Sequence, residues 1–319
     1  MTLLLPLKSA AFGPAADAVR QGFVAAAGET GKDIKVYATD DQPAGILRAY
    51  RDALQQGATM VVGPLTRGAV AALAASSLVN VPTLALNQPE SDEPAPPNLY
   101  LFSLSVEAEA RQIAHMAFAD GRLSALVVGT DTPLSKRTQQ AFVDEWQKLH
   151  GKIVGQVDLP QSRDDYPALR ETIASHPSDM IFLAASAENS RLARPYIGAT
   201  VATYATSQVY PGKSAQLKTI DLNGIRFVDM PWLLQPDHPA VMAYPTAQFP
   251  NAELTRLYAF GIDAFRLARV LAANQLRAGF TLDGVTGRIG LKDGQLFERE
   301  PTPAQFVQGE AVILESAVP

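Results

Sequence analysis

Residues 3–23 read LLLPLKSAAFGPAADAVRQGF. A short apolar run ends in the small polar loop Lys8-Ser9-Ala10-Ala11, and a Gly13-Pro14 step then opens an Ala-rich amphipathic stretch. Proline near the first helical position has its φ already set for a helix. The stretch therefore predicts a buried strand, a loop and a helix, which is half of a βαβ unit.

The same alternation continues outward. DIKVYATD (33–40) alternates as a strand, and AGILRAYRDALQQG (44–57) has helical periodicity with a Gly stop. TMVVGP (59–64), RGAVAALAASSL (67–78) and VPTLALN (81–87) give strand, helix and strand. This order predicts a parallel sheet with helices on both faces. A Pro-rich acidic loop, QPESDEPAPPN (88–98), precedes an extended segment, LYLFSLS (99–105).

The pattern then restarts. Helices are predicted over 107–121, 133–151, 165–176 and 188–198, and strands over 123–129, 152–160, 179–186, 202–210 and from 224. Residues 253–278 carry the longest helical pattern, with one glycine inside. Residues 285–314 read as β-ribbon, with turns at Lys292-Asp293-Gly294 and Gln308-Gly309. Two α/β units in series are expected. One lobe takes 1–104 plus 240–282, and the second takes 105–239 plus 283–319 with the hinge and tail.

Composition narrows the function. The 319 residues are 47% hydrophobic and 18% charged with a net charge of −5, so the chain buries large cores and offers no basic surface for nucleic acid. No apolar run approaches the ~20 residues of a membrane span. Cysteine is absent, which excludes disulfides, thiolate metal sites and a cysteine nucleophile. No P-loop, G-x-G-x-x-G, G-x-S-x-G or S-x-x-K motif occurs, and the four histidines lie far apart. His115 and His150 read as structural. Asp40-Asp41, Asp164-Asp165 and Glu107/Glu109 fall at helix starts, where acidic residues cap free N–H groups. No cofactor, metal or catalytic residue is expected.

Open α/β sheets bind ligands at the carboxyl ends of their strands. The loops there contain Ser9, Ala10, Thr66, Asn87 and Gln88 in the first unit. In the second they contain Thr130, Asp131, Ser186 and Gln208, followed by Asp229-Met230-Pro231-Trp232. Exposed N–H groups at helix starts suit an anion, while hydroxyl and amide side chains suit hydrogen bonds. Each of these residues also suits a cap or a turn. Trp232 fits either a cleft mouth or an apolar plug, Asp229 the turn it precedes, and Tyr258 a side chain directed at the cleft. Asp263 fits pairing with a nearby Arg or capping of a strand.

The arrangement resembles the type I periplasmic binding proteins, whose two α/β lobes are joined by a multi-strand hinge. The segments 36–67, LNGIRFVDMPWLLQPD (222–237), LYAFGIDAFRLA (257–268) and 284–312 are similar to the LppC/LpoA-type lipoproteins. That resemblance implies a non-enzymatic regulator that binds and activates a bifunctional class A penicillin-binding protein at the periplasmic side of the outer membrane. It also implies an N-terminal helical domain and a lipid anchor in the family, both expected to lie outside this chain. The alternative is a periplasmic solute receptor for a small polar ligand such as a branched-chain amino acid. Pro133 and Leu134 stand where receptors of this fold often carry a Tyr-Gly pair, a departure at the amino-acid pocket.

Overall fold

In the computed structural model, residues 1–89, 94–213 and 219–315 are described. Residues 90–93 of the acidic loop lie outside them. Strand β1 (Thr2–Leu5) has Leu3, Leu4 and Leu5 fully buried, as a parallel strand covered on both faces requires. It pairs in parallel with β2 (Lys35–Ala38) on one side and β3 (Val61–Val62) on the other. β4 (Thr83–Ala85) and β5 (Leu99–Phe102) extend the parallel run. β11 (Thr281–Gly284), β12 (Gly287–Lys292) and β13 (Leu296–Glu300) complete the sheet, in the order β11-β12-β13-β5-β4-β3-β1-β2.

One face of this sheet is covered by α1 (Gly13–Ala27) and by the long α8 (Ala252–Ala272), through Val19, Phe23, Phe260 and Leu267. The other face is covered by α2 (Pro43–Gln55) and α3 (Arg67–Ala74), through Ile46, Tyr50, Val70 and Leu73.

The second sheet is built alike. β6 (Ser124–Gly129) pairs in parallel with β7 (Lys152–Asp158) and β8 (Met180–Ala184), and β9 (Ala202–Ala205) and β10 (Arg226–Asp229) follow. The hairpin of β14 (Thr302–Val307) and β15 (Glu310–Ile313) is antiparallel and closes the order β15-β14-β10-β9-β8-β6-β7. Helices α4 (Val106–Ala119) and α5 (Pro133–Lys148) cover one face, where Phe142 stacks on Phe182 with centroids 4.1 Å apart. Helices α6 (Tyr166–Ala174) and α7 (Ala187–Ile197) cover the other.

The chain forms two units, 1–104 with 235–299 and 105–234 with 300–319, so it passes between them three times. Residues 283–299, expected with the second lobe, pair instead in the first sheet, because β13 runs parallel to β5 with Leu296 opposite Leu101. Residues 235–239 also join the first unit. Only Pro301 separates β13 from β14. The stretch from 224, expected as a strand running into a loop, leaves the sheet after Asp229, and residues 231–234 form a one-turn helix opened by Pro231. Among the described residues no helix is long and apolar enough to cross a membrane.

Two glycines set the packing of α1 on α8. A Cβ on Gly22 would lie 1.8 Å from the Tyr258 carbonyl oxygen, and one on Gly261 would lie 2.1 Å from that of Val19. The two backbones meet where no side chain fits.

Two residues beyond Gly261 on α8, Asp263 is fully buried. Its carboxylate accepts from the Val285 and Thr286 amides at 3.2 and 2.8 Å, from Thr286 Oγ1 at 2.7 Å and from Arg266 at 3.0 Å. It thereby ties α8 to the β11–β12 turn, serving both as partner of an arginine and as strand cap. Burial pushes this carboxyl above its ordinary value, against the pull of Arg266 and Thr286.

Replacing Gly261 by Ala improves helix propensity by about 1 kcal/mol, yet overpacking costs about 1–3 kcal/mol or more. Urea denaturation of Gly261→Ala is expected to show a net loss of stability, and a gain would refute the close crossing. Asp263→Ala strands four donors and is expected to cost about 3–5 kcal/mol in the same assay.

Candidate functional site

The loops after β1, β3 and β4 lie side by side, because those strands are neighbours in the sheet. Their polar side chains are engaged with one another and with the backbone. Ser9 is 7% exposed; its hydroxyl donates to Asp41 at 3.1 Å and accepts from the Phe12 amide at 3.1 Å. Hydrogen bonds from Gln42 and Ser9 hold the Asp41 carboxyl below its ordinary value. Asn87 donates to the Leu65 carbonyl at 2.9 Å and accepts from the Gln88 amide. Gln88 donates to Ser103 Oγ at 3.0 Å. Ala10 is exposed, and Thr66 occupies the N-cap of α3 without a side-chain cap bond. The polar groups expected to face a ligand in the first unit thus mainly hold its loops in place.

Tyr258 is 3% exposed and donates its hydroxyl to the Pro245 carbonyl at 2.7 Å, beside the Phe249 ring. Trp232 is buried in its one-turn helix. Asp229 accepts from the Met230 amide at 2.8 Å, which is the turn bond its position implied.

In the second unit the structure brings Thr130, Ser186 and Gln208 together around one cavity of about 140 Å³ at the carboxyl ends of β6, β8 and β9. Asp131 does not line it; this exposed carboxylate faces Lys136 at 3.6 Å. Further lining residues are Thr132, Ser135, Asn189 and Thr206. Two helices begin here with the same local pattern. Thr132 caps α5 by accepting from the Ser135 amide, and Ser186 caps α7 by accepting from the Asn189 amide, each at 3.3 Å. The spacing TPLS and SAEN places a hydroxyl cap and a second polar residue on one helical turn, and this signal is readable in the sequence.

Ser135 fixes the site. Its hydroxyl donates to the Ala184 carbonyl at 2.6 Å and accepts from the Thr130 amide at 3.0 Å and from Gln139 at 3.1 Å. It joins the end of β6 to the end of β8. On the neighbouring α4, buried Glu109 accepts from the Ser207 amide at 3.0 Å. The N-cap of α4 is Ser105. A larger cavity of about 270 Å³ is lined by Tyr210, Lys213, Thr219, Leu234 and Glu310.

Two α/β units, three passes of the chain between them and short polar loops at the carboxyl ends of parallel strands define the type I periplasmic-binding-protein-like class. Residues 1–309 match the family described as "LppC putative lipoprotein", and the chain belongs to that family. It is 31% identical to the penicillin-binding protein activator LpoA of Yersinia pseudotuberculosis, over 89% of this chain and 50% of that protein. The chain thus spans about half the length of the curated relatives it matches. Among solved structures it is similar to the C-domain of Haemophilus influenzae LpoA, described as a regulator of PBP1A. That match has 25% identity and a TM-score of 0.82, covering 98% of this chain and 99% of that one. It is also similar to a Chromobacterium violaceum protein described as "a putative branched-chain amino acid ABC transporter". There the identity is 38% and the TM-score 0.80, covering 96% and 99%.

Removing the Ser135 hydroxyl leaves the Thr130 amide and the Ala184 carbonyl without their shared partner. Ser135→Ala is expected to lose about 1–3 kcal/mol in urea denaturation. Unchanged stability would contradict its role as the tie between β6 and β8.

Proposed function

We propose that this chain is the binding-protein-like domain of a regulator of cell-wall peptidoglycan synthesis. It binds the periplasmic part of a bifunctional class A penicillin-binding protein and raises its cross-linking activity, with no chemistry of its own. The full-length protein is held by a lipid anchor at the periplasmic side of the outer membrane. The observation that carries this reading is the family match along residues 1–309, together with relatives named as a penicillin-binding protein activator and as a regulator of PBP1A. The first unit adds physical support. Ser9, Asn87 and Gln88 serve its own loops, as suits a fold kept for its surface.

The test is direct binding of this chain to the periplasmic part of a class A synthase from the same source, with cross-linking measured in parallel. Saturable binding that persists at about 0.15 M salt, where exposed charges are screened, and a rise in cross-linked product are expected. Absence of both would overturn the reading for this domain.

A second reading, the solute receptor, is favoured by one observation, the cavity of about 140 Å³ lined by hydroxyl and amide side chains. Tight calorimetric binding of a common amino acid, with no synthase binding, would favour it.

A further inference from the structure

The two units differ in what they leave available to a ligand. In the first, the strand-end side chains of Ser9, Asn87 and Gln88 are engaged internally. In the second, Thr206 lines the cavity, is 1% exposed, and its hydroxyl has no hydrogen-bond partner among the described residues. Its oxygen is not sealed off: on this otherwise buried residue it opens on the cavity, where a ligand oxygen can pair with it. The half-buried Asn189 presents an amide to the same cavity, also without a side-chain partner among the described residues.

Two helix N-termini open on this space. α5 has 16 residues and α7 has 11, and their caps Thr132 and Ser186 both line it. Their dipoles favour negative charge at the cavity. Leu134, Ala184 and Ala185 supply an apolar wall. No lining residue is ionisable. The carboxylates nearest in sequence, Asp131 and Glu188, do not line the cavity, and Asp131 is opposite Lys136. A ligand carboxylate is therefore matched by helix termini and hydroxyls, while a ligand ammonium would meet no counter-charge in the cavity.

We propose that the cavity of the second unit binds, on that unit's own groups, the carboxylate of a small aliphatic acid that lacks an α-ammonium group. This does not rest on the regulatory role, since synthase binding is measured without any ligand. It also differs from an amino-acid receptor, which must hold both charges.

The test is calorimetric titration of the chain, at neutral pH and fixed salt, with three probes of closely similar shape: 4-methylpentanoate, 4-methylpentanamide and L-leucine. The acid is expected to bind saturably, with the amide and leucine each at least about tenfold weaker, a difference of about 1.4 kcal/mol. Thr206→Val and Asn189→Ala, each verified as folded by circular dichroism, are expected to weaken acid binding about tenfold, and Ser9→Ala to leave it unchanged. If the acid fails to bind, if the three probes bind equally, if leucine binds best, or if the folded variants bind as the parent does, the proposal is overturned.

Discussion

The first unit depends on a place where two backbones touch. Helix α8 enters it after a second-unit excursion of 130 residues, from Ser105 to Leu234, and has to find its seat on α1. Gly22 and Gly261 bring each helix against a carbonyl of the other. That approach lets Phe23 meet Phe265 edge to face at 5.2 Å and Phe102 stack on Phe260 at 4.7 Å. Large aromatic pairs of this kind contribute beyond their area, but only if the axes lie close enough. Asp263 then fixes the other side of α8 to the β11–β12 turn. The helix is held by a contact that tolerates no side chain and by a carboxylate surrounded by donors.

Much of this was legible in the sequence. Parallel strands buried on both faces give continuous apolar runs, so LLL, MVV and MIFLA were readable as strands, and α4, α5 and α7 carry a Ser or Thr at the N-cap. Membership of residues 283–299 was not. Their ribbon pattern is local, but their partner β5 lies almost 200 residues earlier, and no feature of either segment names the other. A pairing of that range is decided by the core both strands cover. Glu109 shows the same limit. Two residues after Glu107, it looks like a first-turn acid, yet its side chain turns inward to the Ser207 amide.

The candidate site follows that division. Sequence reasoning located the strand-end loops, since βα connections of this class place small polar residues there. It gave the two units equal standing. The structure separates them: Ser9 closes a hydrogen-bonded turn with Asp41 and Phe12, whereas Thr206 faces a cavity. Which hydroxyl is occupied depends on distances of a few ångströms between segments far apart in the chain. A lone Ser or Thr in a loop carries no record of its partner.

The junction at Pro301 has a consequence for alignment within the sheets. β13 belongs to the first sheet and β14 to the second, with one residue between them. Side chains alternate faces along a strand, so a slip of one residue moves an entire set of apolar groups to the wrong side. A slip at Phe297 opposite Phe102 cannot be absorbed before Ala304 opposite Phe227. The strand pair therefore works as a ruler with marks on both sheets, and an error in reading one end is carried to the other.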